Sequence, residues 1–183
     1  MKKLLTQISL LFFLLSFGTS VSKADLITIG TGTTTSSFPF YTWYHDAVTY
    51  LLYTSTEITA AGGGSGTITS IAFNVLGPAG ITTNPPIPMN GFTIYLQNTT
   101  LTQVNAPITT GWTQVYFNAL FNPVLGWNTL VLSTPFEYDA TKNLLVKVCF
   151  DNTSYQDAWS VSATSIYGSC YARYMDGNSN TCS

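Results

Sequence analysis

The stretch "GTITSIAFNVLG", Gly66 to Gly77, decides the fold. Ile71, Phe73 and Val75 alternate with Ser70, Ala72 and Asn74. A period of two puts alternate side chains on opposite faces, which predicts a strand with one face on a core. The pattern recurs along the chain. "GFTIYLQN" sets Phe92, Ile94 and Leu96 on one side, and "NLLVKVCFDN" buries Val146, Val148 and Phe150 while Lys147 points the other way. "TQVYFNA", "GWNTLVLSTPF", "AWSVSATS" and "GSCYARYM" supply four further strands. Gly, Pro or Asn bounds each run, as strand ends require.

The connections read as turns and loops. "NPVLG" and "YDATKN" are turns, and the prolines of "GPAGITTNPPIPMNG" predict a long loop, because proline removes a ladder donor. "TGTTTSSFP" is either a flexible lead-in or an edge strand. Helical periodicity is confined to "YTSTEITAAGGG", where Thr54 and Glu57 have capping-box spacing and Gly62 ends the turn. A single short helical turn is expected near 55–61. Eight or nine strands without intervening helices predict an all-β chain, an antiparallel sandwich of jelly-roll or immunoglobulin-like type.

The N-terminus has a different character. Lys2 and Lys3 precede a short apolar run from Ile8 to Phe17, and Ser22 and Ala24 follow at signal-peptidase spacing. Residues 1–24 read as a secretory signal peptide, too short for a membrane span. No Cys directly follows the run, which argues against a lipid anchor. Residues 25–183 then form one β-sandwich domain, secreted or on the cell surface, with no membrane span of its own. Lys142, Lys147 and Arg173 are its only cations against all eight acids, a formal net charge of −5. So few cations cannot neutralise a run of phosphates, which excludes nucleic acid and anionic membrane as partners.

The chemistry-bearing residues are sparse. His45 is the only histidine, in "FPFYTWYHD". With no second His, no GxSxG and no HExxH, that stretch reads as an aromatic strand forming one wall of the sandwich. Asp46 would then point to the opposite face from His45. Glu57 and Glu137 could form a glycosidase pair, but Glu57 fits a helix cap and Glu137 a solvated turn beside Asp139. No catalytic residue is assigned and no enzyme activity is expected. Hard oxygen ligands cluster at Asp151, Asn152 and Asp157, which suits a structural calcium, the one cofactor the sequence leaves open. Asp176, Asn178 and Asn180 form a weaker set. Exported chains permit disulfides, and the polar segment between Cys170 and Cys182 favours that bridge, leaving Cys149 as a buried thiol. The rival reading pairs Cys182 outside this chain.

Aromatic residues dominate the candidate surface. Tyr41, Tyr44, Tyr155, Tyr171 and Tyr174 are read as exposed ligand contacts, while Trp112 and Trp127 are read as core anchors. Planar rings stack on sugar faces, so glycans or cell-surface proteins are the expected partners.

Several of these segments, in order, resemble a known module. They are "FPFYTWYHDAVTYLLYTSTEITAAG", "GTITSIAFNV", "MNGFTIYLQNTT" and "GWNTLVLSTPFEYDATKNLLVKVCFDNTS", most specifically at Tyr53–Glu57, Met89–Phe92, Gly126–Asn128 and Asn143–Asn152. The resemblance is to an N-terminal β-sandwich module of secreted, cell-surface proteins of the Bacteroidetes, associated with type IX secretion. The chain departs from that pattern at Val48 and Tyr50, where the family often has Arg and Gln. The resemblance implies a non-catalytic adhesion or carbohydrate-contact module; the alternative is an ancillary module of a larger secreted hydrolase.

Overall fold

The computed structural model describes residues 25–79, 88–155, 157–177 and 182. The expected signal peptide lies outside them. The chain order is β1 Thr34–Ser36, β2 Asp46–Tyr53, α1 Ser55–Ala60, β3 Gly66–Ala79, β4 Met89–Thr99, β5 Thr113–Phe121, β6 Gly126–Tyr138, β7 Asn143–Asp151, β8 Ala158–Ala163 and β9 Cys170–Met175. Two antiparallel sheets face each other, ordered β1-β8-β3-β6 and β5-β4-β7-β2-β9.

The strand order decides between the two sandwich types. β1 pairs with β8, β2 with β7, β3 with β6 and β4 with β5. That is one long hairpin folded at the β4–β5 connection. Wrapping it until β3 meets β8 and β4 meets β7 produces the two sheets. This is the jelly roll, and β9 adds a fifth strand beside β2.

The alternation places the core as expected. Phe92, Ile94 and Leu96 from β4, Val146, Val148 and Phe150 from β7, and Phe73 and Val75 from β3 meet between the sheets. Fully burying such side chains contributes roughly 1.5–3 kcal/mol each. The helix forms where the capping box predicted it. Thr54 Oγ1 accepts the Glu57 N–H, and Glu57 Oε2 accepts the Thr54 N–H at 2.8 Å.

Three expectations are corrected. The proline-rich stretch is not all loop, because β3 runs through Pro78 to Ala79 and β4 begins at Met89. Pro78 is tolerated because β3 has left β6 behind at Val75 and past a bulge pairs only with β8. Residues 80–87 lie outside the described set. Second, "FPFYTWYHD" is not a strand: residues 38–45 form turns and β2 starts at Asp46. Third, the bridge joins Cys149 to Cys182, with Cα atoms 5.4 Å apart, and Cys170 is free.

The third correction follows from a third layer. Val48, Tyr50 and Leu52 of β2 and Leu145 and Cys149 of β7 face away from the inter-sheet core but are still buried. Val104, Ile108 and Trp112, from the connection between β4 and β5, cover them together with Cys182. Trp112 holds that cover closed by donating its indole N–H to the Ile108 carbonyl at 2.9 Å. Lys147, which shares this face, is 7% exposed; its ammonium sits 4.1 Å from the Tyr95 ring centre. It also donates to the Cys182 carbonyl at 3.3 Å. Burial lowers its pKa, and the ring faces offset part of the lost hydration.

Candidate functional site

The segment before β2 is built around one anchor. Phe40 is fully buried and packs edge-on to Phe73 at 5.4 Å, and against Phe92 and Phe121 at 5.8 Å. Its carbonyl accepts the Trp159 N–H at 3.2 Å, which ties the turn to β8. Thr42, also fully buried, donates its hydroxyl to the Asp157 carbonyl at 2.9 Å. With Phe40 and Thr42 pointing inward, Phe38, Tyr41, Trp43 and Tyr44 are displayed outward, and Tyr174 of edge strand β9 meets them.

The result is a continuous ring platform. Tyr174 lies 4.5 Å from Tyr44 and 4.9 Å from Tyr41. Phe38 is 4.9 Å from Tyr41, and Trp43 extends the row at 6.3 Å from Tyr41 with planes only 22° apart. Trp43 is 49% exposed and Tyr174 43%. The platform is uncharged: burial first, then the neighbouring Tyr174 and Tyr44, raise the Tyr41 pKa above its ordinary value. Its neutral phenols can donate and accept hydrogen bonds while the ring faces offer apolar area.

Three of the five expected contact tyrosines, Tyr41, Tyr44 and Tyr174, thus come together. Tyr155 stands beside them, its exposed ring parallel to His45 at 6.2 Å. Tyr171 does not join: it packs on Tyr50 at 6.1 Å, beneath the third layer. Phe38 and Trp43 were not singled out from the sequence. Trp127 reverses its expected role, because it is 59% exposed on the outer face of β6. The inward position belongs to its neighbour Asn128, whose amide closes the β5–β6 turn onto Val124 and Gly126.

The remaining candidates serve the scaffold. His45 Nδ1 accepts the Gly177 N–H at 3.2 Å, and the adjacent Asp46 carboxyl hydrogen-bonds that of Asp151, its cross-strand partner. That bond, together with burial and repulsion from Asp46, raises the Asp151 pKa. Of the expected calcium ligands, Asp151 and Asn152 have partners of their own. Asn152 is fully buried and its Oδ1 accepts the Asn90 N–H at 2.7 Å, while Asp157 bonds Thr42 through its backbone. Among the described residues no cluster of three or more His, Cys, Asp or Glu side chains could hold a metal. Asp176 is exposed, and Asn178 and Asn180 lie outside the described residues. Glu57 caps α1, and Glu137 accepts the Thr67 hydroxyl at 2.7 Å. Among the described residues no helix is long and apolar enough to cross a membrane.

Compared with known proteins, the chain matches no family model, no curated protein and no solved structure.

Proposed function

We propose that this protein is a non-catalytic, exported bacterial module that contacts neutral carbohydrate through the platform of Phe38, Tyr41, Trp43, Tyr44 and Tyr174. The observation that carries this reading is the platform itself. Five rings from two distant parts of the chain are gathered at one end of a rigid sandwich, with Trp43 and Tyr174 nearly half exposed. A core does not need rings there, because Phe40 already fills the space beneath. Sugar rings present apolar C–H faces edged with hydroxyls, and an uncharged platform rimmed by phenols complements both. The formal charge of −5 over residues 25–183 works against polyanionic glycans. Export and a place on a Bacteroidetes-type surface protein rest on the N-terminal pattern and the segment resemblance given above.

Affinity electrophoresis through gels containing glucomannan, mixed-linkage β-glucan, dextran or heparin tests the proposal. The expected result is retardation by at least one neutral polysaccharide and not by heparin, lost in Trp43→Ala/Tyr174→Ala. Free migration in every neutral gel, or retardation by heparin alone, contradicts it.

A further inference from the structure

The outer face of the four-stranded sheet carries a second feature. Register aligns Thr35 of β1 with Ser162 of β8, and Asn74 of β3 with Trp127 of β6. β3 meets β8 at Val75 and Val161, where their ladder ends on this side. The pairs Thr35–Ser162 and Asn74–Trp127 flank that end, a broken row of four side chains across the sheet. Cross-strand partners share a face. Phe73, Val75 and Val161 point into the core, so this row points outward.

The row lies in a cleft of about 610 Å³, which the segment before β1 walls off through Thr31 and Thr164. Thr164 Oγ1 accepts the Thr31 N–H at 2.8 Å, and Ser162 Oγ reaches the Gly32 carbonyl at 3.4 Å, so the wall is tied to the floor. Two hydroxyls, an amide and one exposed indole line the cleft, together with Phe38 of the platform and Leu51, Leu52 and Tyr53 of β2. The carboxylate at the cleft margin, Glu57, is committed to Thr54, and the thiol there, Cys170, is kept neutral by a pKa pushed up to about 11.

We infer that this row is a second carbohydrate subsite, taking a short stretch of neutral glycan with one sugar stacked on Trp127 and the next units hydrogen-bonded by Asn74, Ser162 and Thr35. The inference rests on the glycan-contact reading and adds a second set of contacts to it, joined to the platform at Phe38. Two subsites on one module raise apparent affinity for a long polymer over a short oligosaccharide, because the second contact is intramolecular.

The test is isothermal titration with the gluco- or manno-oligosaccharides and the parent neutral polysaccharides of the same panel. It compares wild type, Trp127→Ala, Asn74→Ala and Trp43→Ala, with melting curves as a folding control. Both outer-face positions carry side chains outside the core, so the variants are expected to melt with wild type. The expected result is about a tenfold loss of affinity for Trp127→Ala, the value of one stacked ring, a smaller loss for Asn74→Ala, and a loss of the polymer's advantage over the oligosaccharide. If Trp43→Ala abolishes binding while both outer-face variants bind as wild type, the second subsite is wrong and the platform stands. If the outer-face variants lose binding and Trp43→Ala does not, the subsite stands and the platform reading falls. Absence of binding by wild type to every neutral glycan overturns both.

Discussion

Replacing Cys182 with serine opens the Cys149–Cys182 bridge, whose ends are 33 residues apart in sequence. Releasing a loop of that length returns about 4 kcal/mol of chain entropy to the unfolded state. The bridge also places the Cys182 carbonyl where Lys147 Nζ and Tyr95 Oη reach it, at 3.3 and 3.4 Å. Loss of the tail therefore uncovers a desolvated cation as well. At 2–4 °C per kcal/mol for a chain of this size, the melting temperature should fall by roughly 8–16 °C. Cys170→Ser makes the control, since Cys170 is exposed on edge strand β9 and bonded to neither partner; its melting point should shift by less than about 2 °C. Differential scanning calorimetry reads both, and non-reducing peptide mapping identifies the bridge directly. A bridge containing Cys170, or a Cys182→Ser variant that melts with wild type while Cys170→Ser does not, refutes the argument.

Other consequences follow from single side chains. Lys147→Met should match or exceed wild-type stability at pH 7, because a buried cation is exchanged for an apolar chain of similar length. Since burial lowers the Lys147 pKa, wild-type stability should rise as pH climbs through that lowered value towards 10.5, and urea melts of Lys147→Met should lack this alkaline gain. Asp151 carries the opposite sign: its folded pKa lies above 3.8, so its contribution is present below 3.8 and is lost as pH rises through the raised value. Asp151→Asn should flatten that acid limb and melt higher than wild type at pH 7. Thr54→Ala removes one half of the capping box and should cost about 1 kcal/mol in urea denaturation; an unchanged midpoint would mean that α1 is held by packing alone.

Most strands are legible because alternation marks the face turned to the core; β2, buried on both faces, carries no such pattern and is not among the strands read from the sequence. The order of pairing is not legible, since β1 meets β8 and β2 meets β7 across most of the chain. No local signal encodes such partners. Cys149 and Trp127 are a different case, because parity alone gives the face each occupies. With Val148 and Phe150 inward, Cys149 had to share the outer face with Lys147, away from the main core. With Asn128, Leu130 and Leu132 buried, Trp127 had to point outward. For "FPFYTWYHD" the density of aromatic residues imitates a strand, but Phe40 is the one ring of the stretch that is buried and tight turns replace the ladder. Tyr174 reaches the platform only through the β2–β9 pairing, so the platform exists in the fold and not in any one stretch of sequence.

The four tryptophans provide the most direct test of the carbohydrate-contact account, as each indole N–H gives its own signal in a 15N-correlated NMR spectrum. Trp43 and Trp127 are about half exposed or more, whereas Trp159 is buried and Trp112 is hydrogen-bonded within the third layer. Titration with a neutral oligosaccharide that retards the protein should shift the Trp43 and Trp127 signals and leave those of Trp112 and Trp159 in place. Saturation with the Trp43 signal unmoved would contradict the central claim.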